Sequence, residues 1–133
     1  MKLIKKVKKK EVGTNNGIKF SELDKLSKEE LLLMLVDGTV KYTNISKEAL
    51  LNNDYLKAHN ELVRVQNIFT ELMTTLDQDA GQWAKDMYKV YEFIKSELAI
   101  ADENKDIKII DDILPIVKQI RDTWHEVYNQ LKI

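Results

Sequence analysis

The chain has 133 residues, of which 44% are hydrophobic and 32% are charged, and its formal net charge is −1 at pH 7. This length fits one domain with a sizeable core, and the composition is that of an ordinary globular protein. The absence of Cys excludes disulfides and thiolate metal sites, and no apolar run approaches the roughly 20 residues of a membrane span. We therefore expect a soluble, cytoplasmic protein that is not inserted into a membrane.

The N-terminal region is rich in lysine, with six Lys among the first ten residues. Residues 1–17 have no sustained hydrophobic period and end in the loop sequence GTNNG, so we interpret them as a basic, disordered tail. An electrostatic contact with an acidic partner is the alternative. No aromatic residues alternate with the lysines, and a nucleic-acid partner is therefore not expected. Residues 18–26 form a short apolar segment that contains Ile18, Phe20 and Leu23.

Four apolar stripes follow, in which hydrophobic residues recur at alternate steps of three and four. Such a stripe occupies one face of an α-helix, and short gaps between stripes fold neighbouring helices back antiparallel. Residues 27–133 are therefore predicted to form an all-α, antiparallel up-down four-helix bundle. The stripes are Leu31, Leu35, Gly38, Tyr42, Ile45, Ala49; Tyr55, Ala58, Leu62, Val65, Phe69, Leu72, Leu76; Ala80, Ala84, Met87, Tyr91, Ile94, Leu98, Ala101; and Ile110, Ile113, Val117, Ile120, Trp124, Val127, Leu131.

Polar residues mark where the helices begin. Ser27 is followed three residues later by Glu, which is the capping-box pattern and predicts a first helix over about 28–52. Asp54 and Asp106 are the expected N-caps of the second and fourth helices. Pro115 falls inside the fourth stripe without shifting its phase, which favours a kinked helix over a separate turn before a later helix start.

Motifs for catalysis are weak in this chain. The two histidines, His59 and His125, do not lie in the Glu-x-x-His pairs that a di-iron bundle needs. Arg121 and His125 are similar to the Arg–His motif of bundle ribonucleases, but fewer residues separate them than in that family. There is no Gly-rich phosphate loop and no nucleophile-elbow serine. We expect no enzyme, no metal and no cofactor, with a bundle ribonuclease as a less favoured alternative.

Helix 1 has more apolar residues than its stripe uses. Leu32, Val36 and Val40, together with Thr39, form a second stripe beside the first. A wide buried face against two neighbours would explain part of this surplus. The remainder needs a cover, for which the candidates are the 18–26 segment, a second copy of the chain, or an amphipathic partner helix lying in a groove.

Helices 3 and 4 also carry apolar residues outside their stripes. Trp83, Val90 and Phe93 lie off the main stripe of helix 3, and Ile109 and Ile116 lie to one side of that of helix 4. The same two explanations apply to them, namely a wide core face or a surface for a partner.

Three stretches, 27–53, 58–77 and Arg121-Asp122-Thr123-Trp124, together resemble the FliS family of flagellin export chaperones. The resemblance covers about 25–133, in order and with similar spacing. The chain departs from the family pattern at Lys28, where the family has Pro, and at Val36, where it has Tyr. Ile18 stands where the family has an N-terminal Tyr, and the lysine-rich 1–17 extension is not part of the pattern.

The resemblance implies a cytoplasmic chaperone that binds the C-terminal helical segment of flagellin, prevents premature polymerisation and delivers the subunit to the flagellar type III export apparatus. The alternative is a structural bundle or adaptor that self-associates, for example as a homodimer. Segment 18–26 would act as a displaceable lid over the partner groove. The predicted partner-binding residues are Leu32, Val36, Thr39 and Val40 of helix 1, Ile18, Phe20 and Leu23 of the lid, and Trp83, Val90 and Phe93 of helix 3.

Overall fold

The computed structural model describes residues 4–5 and 25–131, and these residues form four long α-helices with no β-strand among them. A short 3-10 turn, Gln78–Ala80, precedes the third helix. None of these helices combines the length and the apolar character needed to cross a membrane. The helices are α1 (Lys28–Leu51), α2 (Tyr55–Thr75), α3 (Gln82–Asn104) and α4 (Ile107–Leu131).

The predicted helix starts are confirmed by their hydrogen bonds. The backbone N–H of Glu30 donates to Ser27 Oγ (3.1 Å), and the N–H of Ser27 donates to Glu30 Oε1 (3.2 Å), which completes the capping box. The carboxylates of Asp54 and Asp106 each accept a hydrogen bond from a backbone N–H in the first turn of the helix that follows. These bonds satisfy donors that a helix leaves free at its N-terminus.

Pro115 lies within α4, which continues through it as one helix. Since α4 begins at Ile107, the alternative of a turn followed by a later helix start is wrong. The exposed ring of Pro115 removes one backbone hydrogen bond, but the apolar residues on both sides of it keep the same face toward the core.

The helices form an antiparallel ring in which each packs against two neighbours. Contacts between opposite ends of neighbouring helices show the direction. Lys47, late in α1, pairs with Asp111, early in α4 (2.6 Å), and His59, early in α2, contacts Asp102, late in α3 (2.7 Å). The predicted all-α four-helix bundle is therefore confirmed.

The predicted stripes form the core, with exceptions at their ends. Nearly all stripe residues are buried, and several large ones, such as Phe69 and Tyr91, are completely inaccessible to solvent. Tyr55 and Ala80, the first residues of the second and third stripes, are exposed instead. Tyr55 is the first residue of α2 and Ala80 lies in the turn before α3, so both lie at an end of the bundle.

Ile4 is packed into the same core at the end of the bundle where α1 begins and α2 ends. Its side chain is 5% exposed, it forms an isolated antiparallel bridge with Leu76, and its carbonyl accepts a hydrogen bond from Lys28 Nζ (3.1 Å). The N–H of Lys5 donates to the carbonyl of Thr75. Ile4 and Lys5 belong to the segment for which we predict a disordered tail; the rest of that segment lies outside the described residues.

Candidate functional site

The second stripe of α1 is buried in this structure. Val36 and Thr39 have no exposed surface, and Leu32 and Val40 are 3% and 7% exposed. Of the predicted lid, Ile18, Phe20 and Leu23 lie outside the described residues, while Leu26 packs against the core. The α1 residues that we predict to bind a partner are thus covered, and their role stays a prediction.

Three buried hydroxyl groups on α1 donate hydrogen bonds to carbonyl groups of α1 itself. Thr39 Oγ1 donates to the carbonyl of Val36 (2.6 Å), Thr43 Oγ1 to that of Thr39 (2.6 Å), and Ser46 Oγ to that of Thr43 (2.7 Å). All three side chains are fully buried. Because each donor is satisfied within its own helix, this face presents mainly hydrocarbon to its neighbours.

An open groove of about 290 Å³ runs between α3 and α4, and we call it the α3–α4 groove. It contains Trp83 and Val90, two of the predicted partner residues of helix 3, and Ile116, which we noted as lying off the stripe of helix 4. Trp83 is 42% exposed. The lining residues are Trp83, Asp86, Met87, Val90, Ile116, Gln119, Ile120 and Thr123.

An aromatic contact fixes the base of this groove. The rings of Trp83 and Trp124 meet edge to face with their centroids 5.4 Å apart. Trp124 is buried, and its Nε1 donates a hydrogen bond to Tyr91 Oη (2.6 Å). Burial raises the pKa of the Tyr91 phenol well above its usual range, and the hydrogen bond from Trp124 offsets part of that rise. Tyr91 is therefore a neutral acceptor that holds the indole beneath Trp83.

The apolar surface continues along α3 beyond the groove. Phe93 is 51% exposed and Ile100 is 41% exposed. We predicted Phe93 as a partner residue and missed Ile100, although its position seven residues after Phe93, about two helical turns, was a usable signal. The structure thus places Trp83, Val90 and Phe93 on accessible surface, apart from the covered stripe of α1.

The polar residues considered for catalysis are engaged in separate contacts. His125 Nε2 contacts Asp37, whereas Arg121 Nε donates to Asp122 Oδ1 (2.9 Å). His59 contacts Asp102 on the far side of the bundle, and Asp102 also accepts a hydrogen bond from Lys105 Nζ (3.1 Å). Within residues 4–5 and 25–131, no three His, Asp or Glu side chains converge as metal ligands would.

These contacts explain two of the motifs in the family resemblance. Asp37, in the stretch 27–53, contacts His125, which directly follows the motif Arg121-Asp122-Thr123-Trp124. Trp124 of that second motif binds Tyr91 in the core. Both motifs therefore contribute to packing between helices in this chain.

Comparison with known proteins matches this chain to one family. The family model described as flagellar protein FliS matches residues 14–131. A flagellar secretion chaperone FliS of Bacillus subtilis (strain 168) is 28% identical over 97 residues, which cover 73% of this chain and 72% of the relative. A protein of the same name from Vibrio cholerae is 23% identical over 108 residues (80% and 79%), and one from Campylobacter jejuni is 27% identical over 104 residues (77% and 81%).

The matched region includes all four helices, so the family model accounts for the whole bundle and for part of the sequence before it. Because this match covers most of the sequence, the chain belongs to the FliS family of flagellar proteins.

Proposed function

We propose that this chain is a cytoplasmic, non-enzymatic export chaperone that binds the C-terminal helical segment of flagellin. Binding would keep that segment from polymerising prematurely and would deliver the subunit to the flagellar export apparatus. The names of the three relatives support the coarser part of this role, that of a secretion chaperone. The flagellin segment and its delivery follow from the family resemblance.

The α3–α4 groove is the observation that best supports a helical ligand. An apolar groove between two helices can accept the apolar face of a third, which is a common mode of peptide recognition. Here Trp83 and Phe93 expose large aromatic surfaces beside the half-buried Val90 and Ile116. Exposed aromatic side chains on rigid helices are typical anchors of binding interfaces.

The groove can bind and release such a segment by surface burial alone. A free amphipathic segment would expose apolar side chains and would be prone to self-association. Covering it on α3 and α4 removes that surface from water, while the cost of ordering the segment limits the affinity and keeps binding reversible. No cofactor or chemical step is needed in this proposal.

The α1 candidates would come into contact with a partner only after their present cover moves. No hydrogen bond that the structure gives to Thr39, Thr43 or Ser46 would break in that movement, because these hydroxyls bond to α1 itself. In the proposed sequence of events the α3–α4 groove is therefore the first surface that flagellin meets, and the α1 face with the predicted lid is a second one.

Binding to flagellin with and without its last few dozen residues tests the proposal. Only the complete flagellin should be retained by the chaperone. Phe93→Asp should weaken this binding, whereas Tyr55→Asp, a matched change of an equally exposed aromatic residue on α2, should not. Equal retention of both flagellins would refute the proposed binding mode.

Two alternatives give different results in the same preparation. A self-associating bundle would show a molecular mass that rises with protein concentration and is unaffected by flagellin. A ribonuclease would cleave RNA and lose that activity in His125→Ala. The absence of flagellin binding together with either result would replace the chaperone proposal.

A further inference from the structure

The outer surface of α3 has a regular order that bears on the partner's chemistry. A second stripe, which we call the outer stripe, follows the same alternation of three and four residues as the core stripe. It contains four apolar residues and two carboxylates. Its members are Trp83, Asp86, Val90, Phe93, Glu97 and Ile100.

The charges of the outer stripe are all negative. Asp86 is the only charged side chain among the described residues that line the α3–α4 groove, and its partner there is the amide of Gln82 (2.9 Å). Glu97 lies one heptad and four residues further along α3, and its side chain is half-buried. Neither carboxylate forms an ion pair within the part of the chain that the structure describes.

On the facing helix α4, the carboxylate one turn before the groove residue Ile116 already has a basic partner. Asp112 of α4 pairs with Lys108 one turn earlier (3.2 Å). Asp86 and Glu97 therefore differ from Asp112, because the structure gives neither of them an ion pair that would accompany it beneath a docked helix. A carboxylate covered in this way costs free energy unless a positive group accompanies it.

Polar positions within an otherwise apolar helical stripe commonly fix the register of a partner helix. A bound helix with Lys or Arg opposite Asp86 and Glu97 would pair with both carboxylates while its apolar residues contact Val90 and Phe93. A helix with Glu or Asp at those places would be repelled. A second copy of this chain docking through the same stripe could bring carboxylates against carboxylates, which disfavours self-association here.

We propose that the outer stripe selects a basic amphipathic helix, whose Lys or Arg side chains pair with Asp86 and Glu97 and set its register along α3. The identification of that helix with part of flagellin rests on the proposed function. The selection for basic residues rests on the groove and its charges alone.

Two synthetic helical peptides test this inference on the full-length protein. Both carry the same leucine stripe, and they differ at two positions with the spacing of Asp86 and Glu97, which are Lys in one peptide and Glu in the other. The Lys peptide should bind at least about tenfold more tightly at low salt, which corresponds to about 1.4 kcal/mol. The difference should shrink at about 0.5 M salt, because salt screens the interaction between the charges of the peptide and the two carboxylates.

Charge reversal on the protein gives the decisive comparison. Asp86→Lys combined with Glu97→Lys should invert the preference, so that the Glu peptide binds more tightly. Glu92→Lys, which reverses an exposed carboxylate on the α2 side of α3, is the matched control and should keep the wild-type preference. Circular dichroism should show the same helical content in all variants.

The outcomes separate this inference from the proposed function. Equal binding of both peptides, or an unchanged preference in the double variant, would overturn the selection for basic residues. If flagellin binds the double variant as tightly as the wild-type chain, the identification of the selected helix with part of flagellin is wrong while the chaperone role stands. If the Lys peptide binds selectively but flagellin does not bind at all, the selection stands and the proposed function falls.

Discussion

The hydrogen bond from Trp124 to Tyr91 connects the core to the base of the α3–α4 groove, and removing it should measurably destabilise the fold. Tyr91→Phe removes only the hydroxyl group. The buried ring, whose centroid lies 6.0 Å from that of Phe69, is retained in the variant. The indole N–H of Trp124 then loses the one acceptor that the structure gives it. Leaving a buried donor unsatisfied costs about 1–3 kcal/mol, so we expect the free energy of unfolding to fall by that amount.

Urea denaturation followed by tryptophan fluorescence measures this change. Tyr55→Phe is the matched control, because the Tyr55 hydroxyl donates to Asn53 Oδ1 (3.1 Å) at an exposed site where water can replace it. Its loss should change the free energy of unfolding by less than about 0.5 kcal/mol. If Tyr91→Phe is no more destabilising than Tyr55→Phe, the argument that Trp124 depends on Tyr91 is refuted.

The same residue predicts a dependence of stability on alkaline pH. Because burial raises the pKa of Tyr91, the folded chain holds the phenolic proton more tightly than the unfolded chain, in which a Tyr pKa is about 10. The contribution of Tyr91 is therefore intact below about pH 10 and declines as the pH rises above that value. Tyr91→Phe should show a smaller loss of stability between neutral and strongly alkaline pH than the wild-type chain; an equal loss would contradict the assignment.

Three further substitutions test other parts of the structure. Val36→Asp should lower the free energy of unfolding by about 3–5 kcal/mol, because it places an unpaired carboxylate at a site with no solvent exposure. The exposed Phe93 should accept the same change with little effect on the melting temperature, and similar melting of the two variants would show that the α1 face is not a closed core. Gly81→Ala should cost about 1–3 kcal/mol, since Gly81 has a φ of 131° and a ψ of −179°, although no atom would clash with the added carbon; unchanged urea stability would exclude this backbone strain. Ile4→Ser should cost about 1.5–3 kcal/mol because Ile4 is buried beside Leu76, and no change on calorimetry would contradict this contact.

Most of the fold could be predicted from the sequence because hydrophobic period and helix caps act locally. The capping box at Ser27 and the caps at Asp54 and Asp106 are complete within one helical turn, and the structure confirms them. The stripes failed at their ends, since Tyr55 and Ala80 have the correct spacing but are exposed at an end of the bundle. The hydrophobic period shows which face of a helix a residue occupies, but it does not show whether another element covers that face.

For the same reason, the sequence could not show which of the predicted partner-binding residues are exposed. Leu32 and Val36 of α1 and Trp83 and Phe93 of α3 all lie off the main stripes, yet the first pair is buried and the second is exposed. The difference arises from tertiary contacts, which are more extensive for α1 than for α3 although both helices pack against two neighbours. Ile4 was missed for a related reason, because the few apolar residues among the N-terminal lysines define no sustained period from which its contact with the core could be deduced.

The uneven burial of the helices has a consequence for how the chain opens. Twelve of the 24 residues of α1 are buried, whereas five of the 23 residues of α3 are. Regions with few buried contacts open at lower free energy than the rest of a domain. Amide hydrogens in the middle of α1 should therefore exchange with solvent only on global unfolding, and those of α3 should exchange earlier. A ligand bound along α3 would slow exchange there most, so that the least firmly held helix would gain the most order from its partner.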